Sequence, residues 1–543
     1  MNALAPAGAE AVPDSRGLNL FRADPALARL AALYLPPDLF EHLLPHLDRL
    51  GALAGGSLDE LAGAADRNPP RLHHRTRRGE DVQSVEKHPA YREMERLAFG
   101  EYGLAALSHR GGVLGWPAPM PPAAKYLLTF LFVQAEFGLM CPVSMTDSLT
   151  RTLRRFGDPA LVARYLPALT SQDMDALAQG AMFMTEQGAG SDVGATAVGA
   201  APLPDGTWAL TGDKWFCSNP DAALAMVLAR PVGAPDGIRG VSLFLLPRFL
   251  PDGRANALHI VRLKDKLGTR SMASGEVQLR GAVAWLVGDP GAGFRQMADM
   301  VNNSRLSNGV RAAGLMRRAV TEAAFVARRR VAFGVPLADM PLMQRQLLKM
   351  QVWAEQARSM SLQAADALRR SDAGEGGAYA LLRIMTPLLK FRACRDARKV
   401  AGDAMEVRGG CGFIEEWPDA RVLRDAHLGS IWEGTSNVVA LDVMRAARRD
   451  GGLEALRALG RGLAVPELDV EPAMARAAGL AEAAMAPGGM HLTRQAASAL
   501  YHVASAAAMA WEAARLDDPA RLAMAGMVLR HRVLPRDPLA ADD

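Results

Sequence analysis

Cysteine is scarce in this sequence, with four residues in a chain of 543. Cys141, Cys217, Cys394 and Cys411 are scattered, and none has the close Cys or His neighbours that zinc sites use. A disulfide framework and a metal site are therefore not expected. Scattered thiols are typical of a reducing compartment such as the cytoplasm.

Long apolar runs are also lacking. The uncharged stretch Gln495–Trp511 is rich in Ala and Ser and contains His502. It does not predict a membrane-spanning helix, which needs about 20 apolar residues. Residues 1–17 contain neither a basic segment nor a continuous apolar segment, so they do not predict a signal peptide. Together these absences predict a soluble, cytoplasmic, globular protein.

Net charge is small as well. Lys and Arg number 62 against 58 Asp and Glu, a formal charge of +4. This balance excludes a polybasic or acidic-tail protein and does not by itself indicate a nucleic-acid partner. The length, by contrast, is ample. At about 150 residues per domain, the chain predicts three to four domains.

The first two of four predicted segments differ in periodicity. Residues 1–180 are mostly helical in pattern, and Pro, Gly and charged residues predict a loop at 67–79. An apolar run from Tyr126 to Thr150 predicts one buried helix. Residues 181–288 form a β domain by the short apolar runs Ala222–Ala229 and Val241–Leu246. Within it, Thr211–Lys214 between two aromatic runs predicts a β-hairpin.

Helical periodicity returns over 289–445 and continues in an extension over 446–543. A row at steps of three and four predicts the seam of a helical bundle. Its members are Leu347, Met350, Ala354, Ala357, Ser361, Ala364 and Leu368. The glycine-rich Arg408–Phe413 is expected to separate two late helices. The fold class is therefore α+β, with helical segments on both sides of a β domain in the chain.

The segment Met182–Asp192 (MFMTEQGAGSD) is the first candidate for chemistry. Gly188 and Gly190 allow the backbone to approach a ligand closely, and Thr185 and Ser191 offer hydroxyl groups. The alternative is a tight polar loop. The second candidate, Lys214–Asn219 (KWFCSN), places two aromatic residues and a hydroxyl on a strand, where the alternative is an aromatic pair packed in the core.

The third candidate is Arg424–Asn437 (RDAHLGSIWEGTSN). Glu433 follows Ile431 and Trp432, so its carboxylate is expected to be poorly solvated. Poor solvation raises a carboxylate pKa, which suits a general base near neutral pH. The alternative is a carboxylate at the start of a helix.

Six separated blocks, in order, resemble the acyl-CoA dehydrogenase family. They are Met184–Asp192, Gly212–Asn219, Gly268–Ser271, Arg330–Gly334, Gly409–Phe413 and Arg424–Thr435. The resemblance covers about residues 120–445. It implies a helical N-terminal domain, a central β-barrel or sandwich and a C-terminal four-helix bundle, with FAD held where the β domain meets the bundle.

The resemblance also assigns residues to the cofactor. It implies that Phe183 and Thr185 meet the flavin ring, with Phe216 and Ser218 where the family has a tryptophan and a threonine. It implies that the FAD of a neighbouring subunit is bound by Arg330, Phe333, Gly409 and Gly410. It also implies that the site is closed by Thr435 and Asn437. Sharing a cofactor in this way implies a homo-oligomer, as in the family's tetramers.

Substrate roles follow from the same resemblance. Glu433 matches the base that removes the α-proton of an acyl-CoA thioester while the β-hydride passes to flavin N5. The remaining matches are substrate contacts: Ser191 with the pantetheine arm, and Asn302, Ser304 and Arg305 with CoA. A branched-chain subgroup carries its base at the position of Ser304. Serine cannot act as that base, which leaves Glu433 as the matching candidate.

The length of the chain and its sequence outside the six blocks resemble the AidB subgroup, which belongs to the adaptive response to alkylating agents. The matching segments are Val85–Tyr91, Phe333–Met343 and the extension beyond 445. This resemblance implies weak dehydrogenase activity on a short or branched acyl-CoA and binding of double-stranded DNA through residues 446–543. From Met444 onward, however, twelve arginines face twelve acidic residues. A neutral extension favours DNA binding only weakly, because phosphate neutralisation dominates such affinity.

Overall fold

The computed structural model describes residues 10–537 and residue 539. Residues 1–9 belong to the segment for which no signal peptide is predicted, and Asp542 and Asp543 are two of the acids counted in the extension. Those predictions lie in part outside the described residues. Within the described part of the chain, no helix is both long and apolar enough to span a bilayer.

Most of the described chain is α-helical. Many helices begin with proline, whose fixed φ suits the first turn, and in two of these, Pro159–Leu169 and Pro519–Arg532, the Asp158 and Asp518 side chains cap the helix by accepting hydrogen bonds from backbone N–H groups. The helices are α1 (Pro25–Tyr34), α2 (Pro37–Gly55), α3 (Ser57–Arg67), α4 (Pro89–Glu95), α5 (Pro122–Phe132), α6 (Met140–Phe156), α7 (Pro159–Leu169), α8 (Gly293–Arg329), α9 (Pro341–Asp372), α10 (Ala378–Arg408), α11 (Pro418–Gly429), α12 (Ser436–Arg449), α13 (Gly452–Gly462), α14 (Glu471–Met485), α15 (Thr493–Leu516) and α16 (Pro519–Arg532).

The strands concentrate between residues 180 and 287. They are β1 (Arg71–Arg75), β2 (Asp81–Glu86), β3 (Gly180–Phe183), β4 (Gly199–Pro202), β5 (Trp208–Ser218), β6 (Leu224–Pro231), β7 (Ser242–Pro247), β8 (Leu258–Leu263), β9 (Ser274–Val287), β10 (Val331–Ala332) and β11 (Val335–Pro336). The predicted α+β class and the strands at 222–229 and 241–246 are confirmed.

The main sheet has seven strands, and its pairings close on themselves in the order β6–β4–β5–β9–β7–β6, with β3 on β6 and β8 on β9. The β3–β6 and β4–β6 pairs are parallel, and the other pairs are antiparallel. Buried side chains that include Phe183, Val227, Phe244 and Val277 fill the interior. Closure leaves few free edges, as in a barrel.

Contacts divide the chain into two compact units. The first holds the residues up to Ser57, Pro121–Ala135 and Arg305 onward, and the second holds Leu58–Met120 and Glu136–Ser304. The predicted boundary at 180/181 falls inside the second unit and the one at 445/446 inside the first. The four-domain division stays a prediction.

Three local predictions were wrong. The loop expected at 67–79 contains β1, because Leu72 opposite Val85 packs on a small apolar cluster with Ile260. The hairpin expected at 211–214 is one continuous strand, β5. Its irregular pairing with β9 absorbs the turn-like residues, and Gly212 has φ 135°. The single helix expected at 126–150 is interrupted between α5 and α6, where the Glu136 carboxylate accepts a hydrogen bond from the Leu139 N–H.

Predictions for the bundle are better. All seam residues are buried on α9 except Leu347, which is half-buried. The glycine-rich segment forms a short 3₁₀ turn, Gly409–Phe413, between α10 and α11, as expected.

A buried ionic network joins the extension to α9 within the first unit. Arg521 of α16 donates to Glu355 of α9 at 2.6 Å and to Glu512 of α15 at 2.8 Å. Arg358 of α9 donates to Asp24 at 2.5 Å. These side chains are almost wholly buried. Burial raises the pKa of Glu355, but Arg358, Arg521 and Arg317 more than offset this and lower it to about 2.

Candidate active site

The first two candidate segments meet in the second unit. Phe183, the last residue of β3, is buried, and Thr185 lies two residues further on, half-buried. The backbone N–H of Trp215 donates to the Thr185 carbonyl at 2.8 Å. The Thr185 hydroxyl makes no hydrogen bond to any residue that the structure describes. It is therefore available to a ligand.

Lys214 completes this junction, and sequence analysis did not assign it a role. Its ammonium is buried and donates to Glu186 Oε1 at 2.7 Å and to the Met184 carbonyl at 3.3 Å. Burial lowers the pKa of Lys214, and the Glu186 carboxylate partly opposes that effect. The sequence did contain a signal for this contact, since Lys214 is followed by two aromatic residues on a strand. A lysine in such apolar surroundings is buried only when its charge is paired.

Phe216 does not pack in the core. Its side chain is 58% exposed, beside a half-buried Trp215. Lys264 lies over both rings, 3.5 Å from the Trp215 centroid and 4.9 Å from that of Phe216. Ser218, half-buried, pairs with Ser274 in the sheet, and Ser191 is exposed. An exposed aromatic ring near free hydroxyl groups fits a planar heteroaromatic ligand such as the flavin of FAD.

The α8 residues assigned to CoA have different surroundings. Asn302 is half-buried and Ser304 is wholly buried. The contact of these residues with CoA stays a prediction. In the first unit, Arg305 donates from Nε to the Glu433 carbonyl at 2.8 Å and from Nη1 to Asp442 at 2.8 Å. Burial lowers the pKa of Arg305, while Asp442 and Glu433 oppose that shift. Its guanidinium thus holds the backbone of the candidate base.

Glu433 occupies a strained turn between α11 and α12. Its φ is 55°, and Gly434 follows with φ 103°. Left-handed backbone is uncommon for a non-glycine residue and is found at functional sites. The α12 helix begins only at Ser436, after Thr435, so Glu433 is not a carboxylate of the helix start. Its half-buried side chain projects from a fixed backbone.

Two buried cations near this turn were missed by sequence analysis. Lys390 of α10 donates from Nζ to the Gly434 carbonyl, and burial lowers the pKa of Lys390 to about 8. Arg311 of α8 lies over the Trp432 ring at 4.8 Å and is wholly buried. Both residues lie in segments with a regular helical pattern. A single charged residue in such a segment does not indicate a partner that is distant in the sequence.

The residues assigned to a neighbouring subunit's FAD partly come together. Arg330 Nη1 donates to the Arg408 carbonyl at 2.9 Å, and a Cβ on Gly409 would lie 3.2 Å from the same nitrogen. Gly409 also needs its positive φ of 69°. Phe333 is 99% exposed, and Gly410 is exposed. The Phe333 ring is therefore accessible to another molecule.

Thr435 and Asn437 are exposed at the start of α12. The Thr435 carbonyl accepts the Val439 N–H at 3.0 Å. Arg494 of α15 donates to Asn437 Oδ1 at 3.3 Å, so the extension touches a residue assigned to the cofactor. No group of three or more His, Cys, Asp or Glu able to hold a metal ion occurs in the described part of the chain.

The fold, the strained backbone at Glu433 and the hydroxyl groups beside β5 point to the acyl-CoA dehydrogenases, and the family models agree. Residues 181–282 match the acyl-CoA dehydrogenase middle domain and residues 291–448 its C-terminal domain. The chain belongs to the acyl-CoA dehydrogenase family. Residues 10–176 match the N-terminal domain of the adaptive response protein AidB, so the chain is of the AidB type within that family.

Relatives support the same assignment. The putative acyl-CoA dehydrogenase AidB of Escherichia coli is 36% identical over 73% of this chain and 72% of its own length. The crystal structure of Caenorhabditis elegans ACDH-11 in complex with C11-CoA has a TM-score of 0.89 at 27% identity, covering 99% of this chain and 95% of that one. The Bacillus anthracis acyl-CoA dehydrogenase complexed with FAD, at 20% identity and a TM-score of 0.68, shares the fold, over 88% of this chain and 85% of that one.

Proposed function

We propose that this chain is an FAD-dependent acyl-CoA dehydrogenase in which Glu433 removes the α-proton of an acyl thioester. One observation carries the proposal: the Glu433–Gly434 turn is left-handed, and Arg305 and the buried Lys390 bind its two carbonyl oxygens. Such strain persists only where the surroundings fix it, and it is common where a reacting side chain must be aimed. The chain belongs to a family of oxidoreductases, the acyl-CoA dehydrogenases, and this membership supports the same conclusion.

FAD is the cofactor. The exposed ring of Phe216 and the free hydroxyl of Thr185 fit the flavin, with Phe183 and Ser218 beside them in the sheet. FAD accepts the β-hydride when it is bound, whereas the protein supplies orientation and electrostatics. Thr435 and Asn437 close the cofactor site. The family relative from Bacillus anthracis, complexed with FAD, supports this choice.

A homo-oligomer, in this family a tetramer, follows from the second set of cofactor residues. Arg330, Phe333, Gly409 and Gly410 bind the FAD of a neighbouring subunit. The almost fully exposed ring of Phe333 supports this proposal, because it is accessible to a ligand bound by another subunit.

The residues of the chain divide the work on the substrate. The Glu433 carboxylate takes the α-proton, and the Glu433 backbone N–H donates to the thioester oxygen, which stabilises the negative charge that develops there. Arg305 keeps that peptide in place through the Glu433 carbonyl. Ser191, Asn302 and Ser304 bind the CoA moiety, and Arg305 contributes to the same region.

The substrate class is a short or branched acyl-CoA. ACDH-11, a relative of this fold, was crystallised in complex with C11-CoA, which has a longer acyl chain. The test is anaerobic titration of the FAD-loaded protein with butyryl-CoA, isovaleryl-CoA and undecanoyl-CoA. We expect at least one thioester to bleach the oxidised flavin spectrum, most strongly the short or branched ones. Absence of bleaching with every thioester would refute the dehydrogenase proposal.

A second candidate function is binding of double-stranded DNA through residues 446–543, and the cluster that Arg494 of this extension forms with arginines of α10 favours it. Arg395 and Arg398 of α10 and Arg494 of α15 have no carboxylate partner among the described residues. Burial lowers the pKa of Arg395, as do Arg494, Arg392 and Arg398 nearby. Guanidinium groups without a carboxylate partner can bind phosphates. Other arginines of the extension are already paired, for example Arg457 with Glu482.

Point substitutions test DNA binding better than truncation, because removal of the extension would expose the buried network around Glu355. We expect the triple change of Arg395, Arg398 and Arg494 to Gln to weaken binding of duplex DNA and to reduce its salt dependence. The matched control changes Arg457, Arg461 and Arg476 to Gln. Equal affinity of both triple variants at about 150 mM salt, or no binding by the wild type, would refute this function.

A further inference from the structure

The Glu433–Gly434 turn depends on outside support. Two consecutive residues are left-handed, with φ of 55° and 103°, and only the second is glycine. A glutamate does not keep this conformation unless its surroundings impose it. The support must act on the backbone, because the carboxylate itself has to remain able to accept a proton.

Arg305 and Lys390 provide that support in different ways. Arg305 divides its guanidinium between the Glu433 carbonyl and Asp442, which also binds Arg383 at 2.7 Å. The Lys390 ammonium, by contrast, makes one hydrogen bond among the described residues, to the Gly434 carbonyl. The position of Gly434 therefore depends on a cation that does nothing else in the hydrogen-bond network.

Lys390 is an unusual residue for its place. It lies in the middle of α10 and is 1% exposed. A buried ammonium is costly unless charges and acceptors surround it. Three groups face it: Glu433 from the turn, Arg305 from α8 and Cys394 from its own helix. A methionine would fill the same space without that cost, so the charge has another role than packing.

We infer that Lys390 is a positioning residue for Glu433: its ammonium holds the Gly434 carbonyl and thereby fixes the turn that aims the carboxylate at the substrate α-carbon. This inference rests on the proposed function of Glu433. It assigns a role in the rate of proton removal rather than in cofactor or substrate binding, because the one hydrogen bond of Lys390 among the described residues goes to the backbone of the turn.

The test compares Lys390→Met and Lys390→Arg with the wild type, all loaded with FAD, by anaerobic rapid mixing with the thioester that bleaches the wild type best. We expect Lys390→Met to slow flavin reduction by about tenfold to a hundredfold, because small misplacement of a reacting group has effects of that size. Its FAD content and its thioester Kd should stay within about twofold, and Lys390→Arg should recover much of the rate.

The pH profile adds a readout that packing alone would not move. Burial lowers the pKa of Lys390 to about 8, so the ammonium loses its charge as the pH rises past that value. The reduction rate of the wild type should therefore fall above pH about 8. The arginine variant stays charged and should lack this inflection. Lys125→Met, which removes another buried lysine, next to Tyr126, is the control and should leave rate and profile unchanged.

The outcomes separate the two proposals. A wild type that no thioester bleaches refutes the dehydrogenase function and this inference with it. If the wild type is bleached, reduction of Lys390→Met at the wild-type rate overturns the role of Lys390 alone. If Lys390→Met does not fold, the arginine variant decides, and an unchanged inflection near pH 8 in that variant overturns the inference.

Discussion

The Lys214 ammonium lies 2.7 Å from Glu186 Oε1, and this buried ion pair joins the two sequence segments assigned to the flavin. Lys214 belongs to β5, and Glu186 follows the end of β3. Glu186 also accepts the Ala197 N–H at 2.7 Å, so one carboxylate organises three segments of the second unit. The two segments proposed to bind the flavin therefore depend on a buried charge pair.

Lys214→Met should destabilise the protein and reduce its FAD content. The substitution leaves the Glu186 carboxylate buried without its cation, which typically costs about 3–5 kcal/mol. Chemical unfolding and the ratio of flavin to chain measure both effects. The double variant Lys214→Met, Glu186→Gln is the control and should recover part of the stability. A single variant as stable and as flavin-rich as the wild type would contradict this role.

Arg521→Met should detach the extension from α9. Glu355 and Glu512 would both lose a buried guanidinium, so the free energy of unfolding should fall by about 3–5 kcal/mol. Arg476, exposed on α14, gives a matched control. Arg476→Met should change the free energy of unfolding by less than about 0.5 kcal/mol. Thermal and urea unfolding compare the two variants. Equal stability would mean that the network does not hold the extension.

The same network predicts acid sensitivity. The arginines around Glu355 lower its pKa to about 2, below its usual value near 4.5. A carboxylate with a lowered pKa stabilises the fold above the pKa of the unfolded chain and loses this contribution as the pH falls toward the folded pKa. Stability should therefore decline between pH about 4.5 and about 2. Glu355→Gln should show a shallower decline in Tm over this range, and an identical slope would exclude Glu355 as a source.

Substitution of Arg305 distinguishes its two assigned roles. If the guanidinium mainly holds Glu433, Arg305→Gln should slow flavin reduction about tenfold or more with little change in thioester affinity. If it binds CoA, the Kd of the thioester should rise instead. Arg383→Gln is the control, because Arg383 shares Asp442 but not the turn. We expect the first outcome, measured by rapid mixing and equilibrium titration.

The sequence was sufficient for features that repeat. The row through Leu368 predicted the buried face of α9, including Ser361, whose hydroxyl is satisfied by the Ala357 carbonyl at 2.7 Å. The apolar run Ala222–Ala229 predicted β6 because both faces of that strand are buried. The neighbours of Glu433 and the family resemblance predict that it is the base, and this role stays a prediction.

Features that depend on distant partners were not predictable. Gly212 and Thr211 read as a turn, but pairing with fourteen-residue β9 keeps β5 continuous. Leu72 lies in a charged segment, and only contact with the cluster around Ile260 turns that segment into a strand. Lys390 and Lys214 look like ordinary charged residues until the fold buries them beside an acceptor.

The rate of anaerobic flavin reduction in Glu433→Gln tests the role of Glu433 as the base most directly. Glutamine keeps the size of the side chain and its hydrogen bonding but cannot accept the α-proton. We predict that the variant folds, binds FAD and binds the thioester as the wild type does, while flavin reduction falls by about a hundredfold or more. Reduction of Glu433→Gln at the wild-type rate would contradict the central claim that Glu433 is the base.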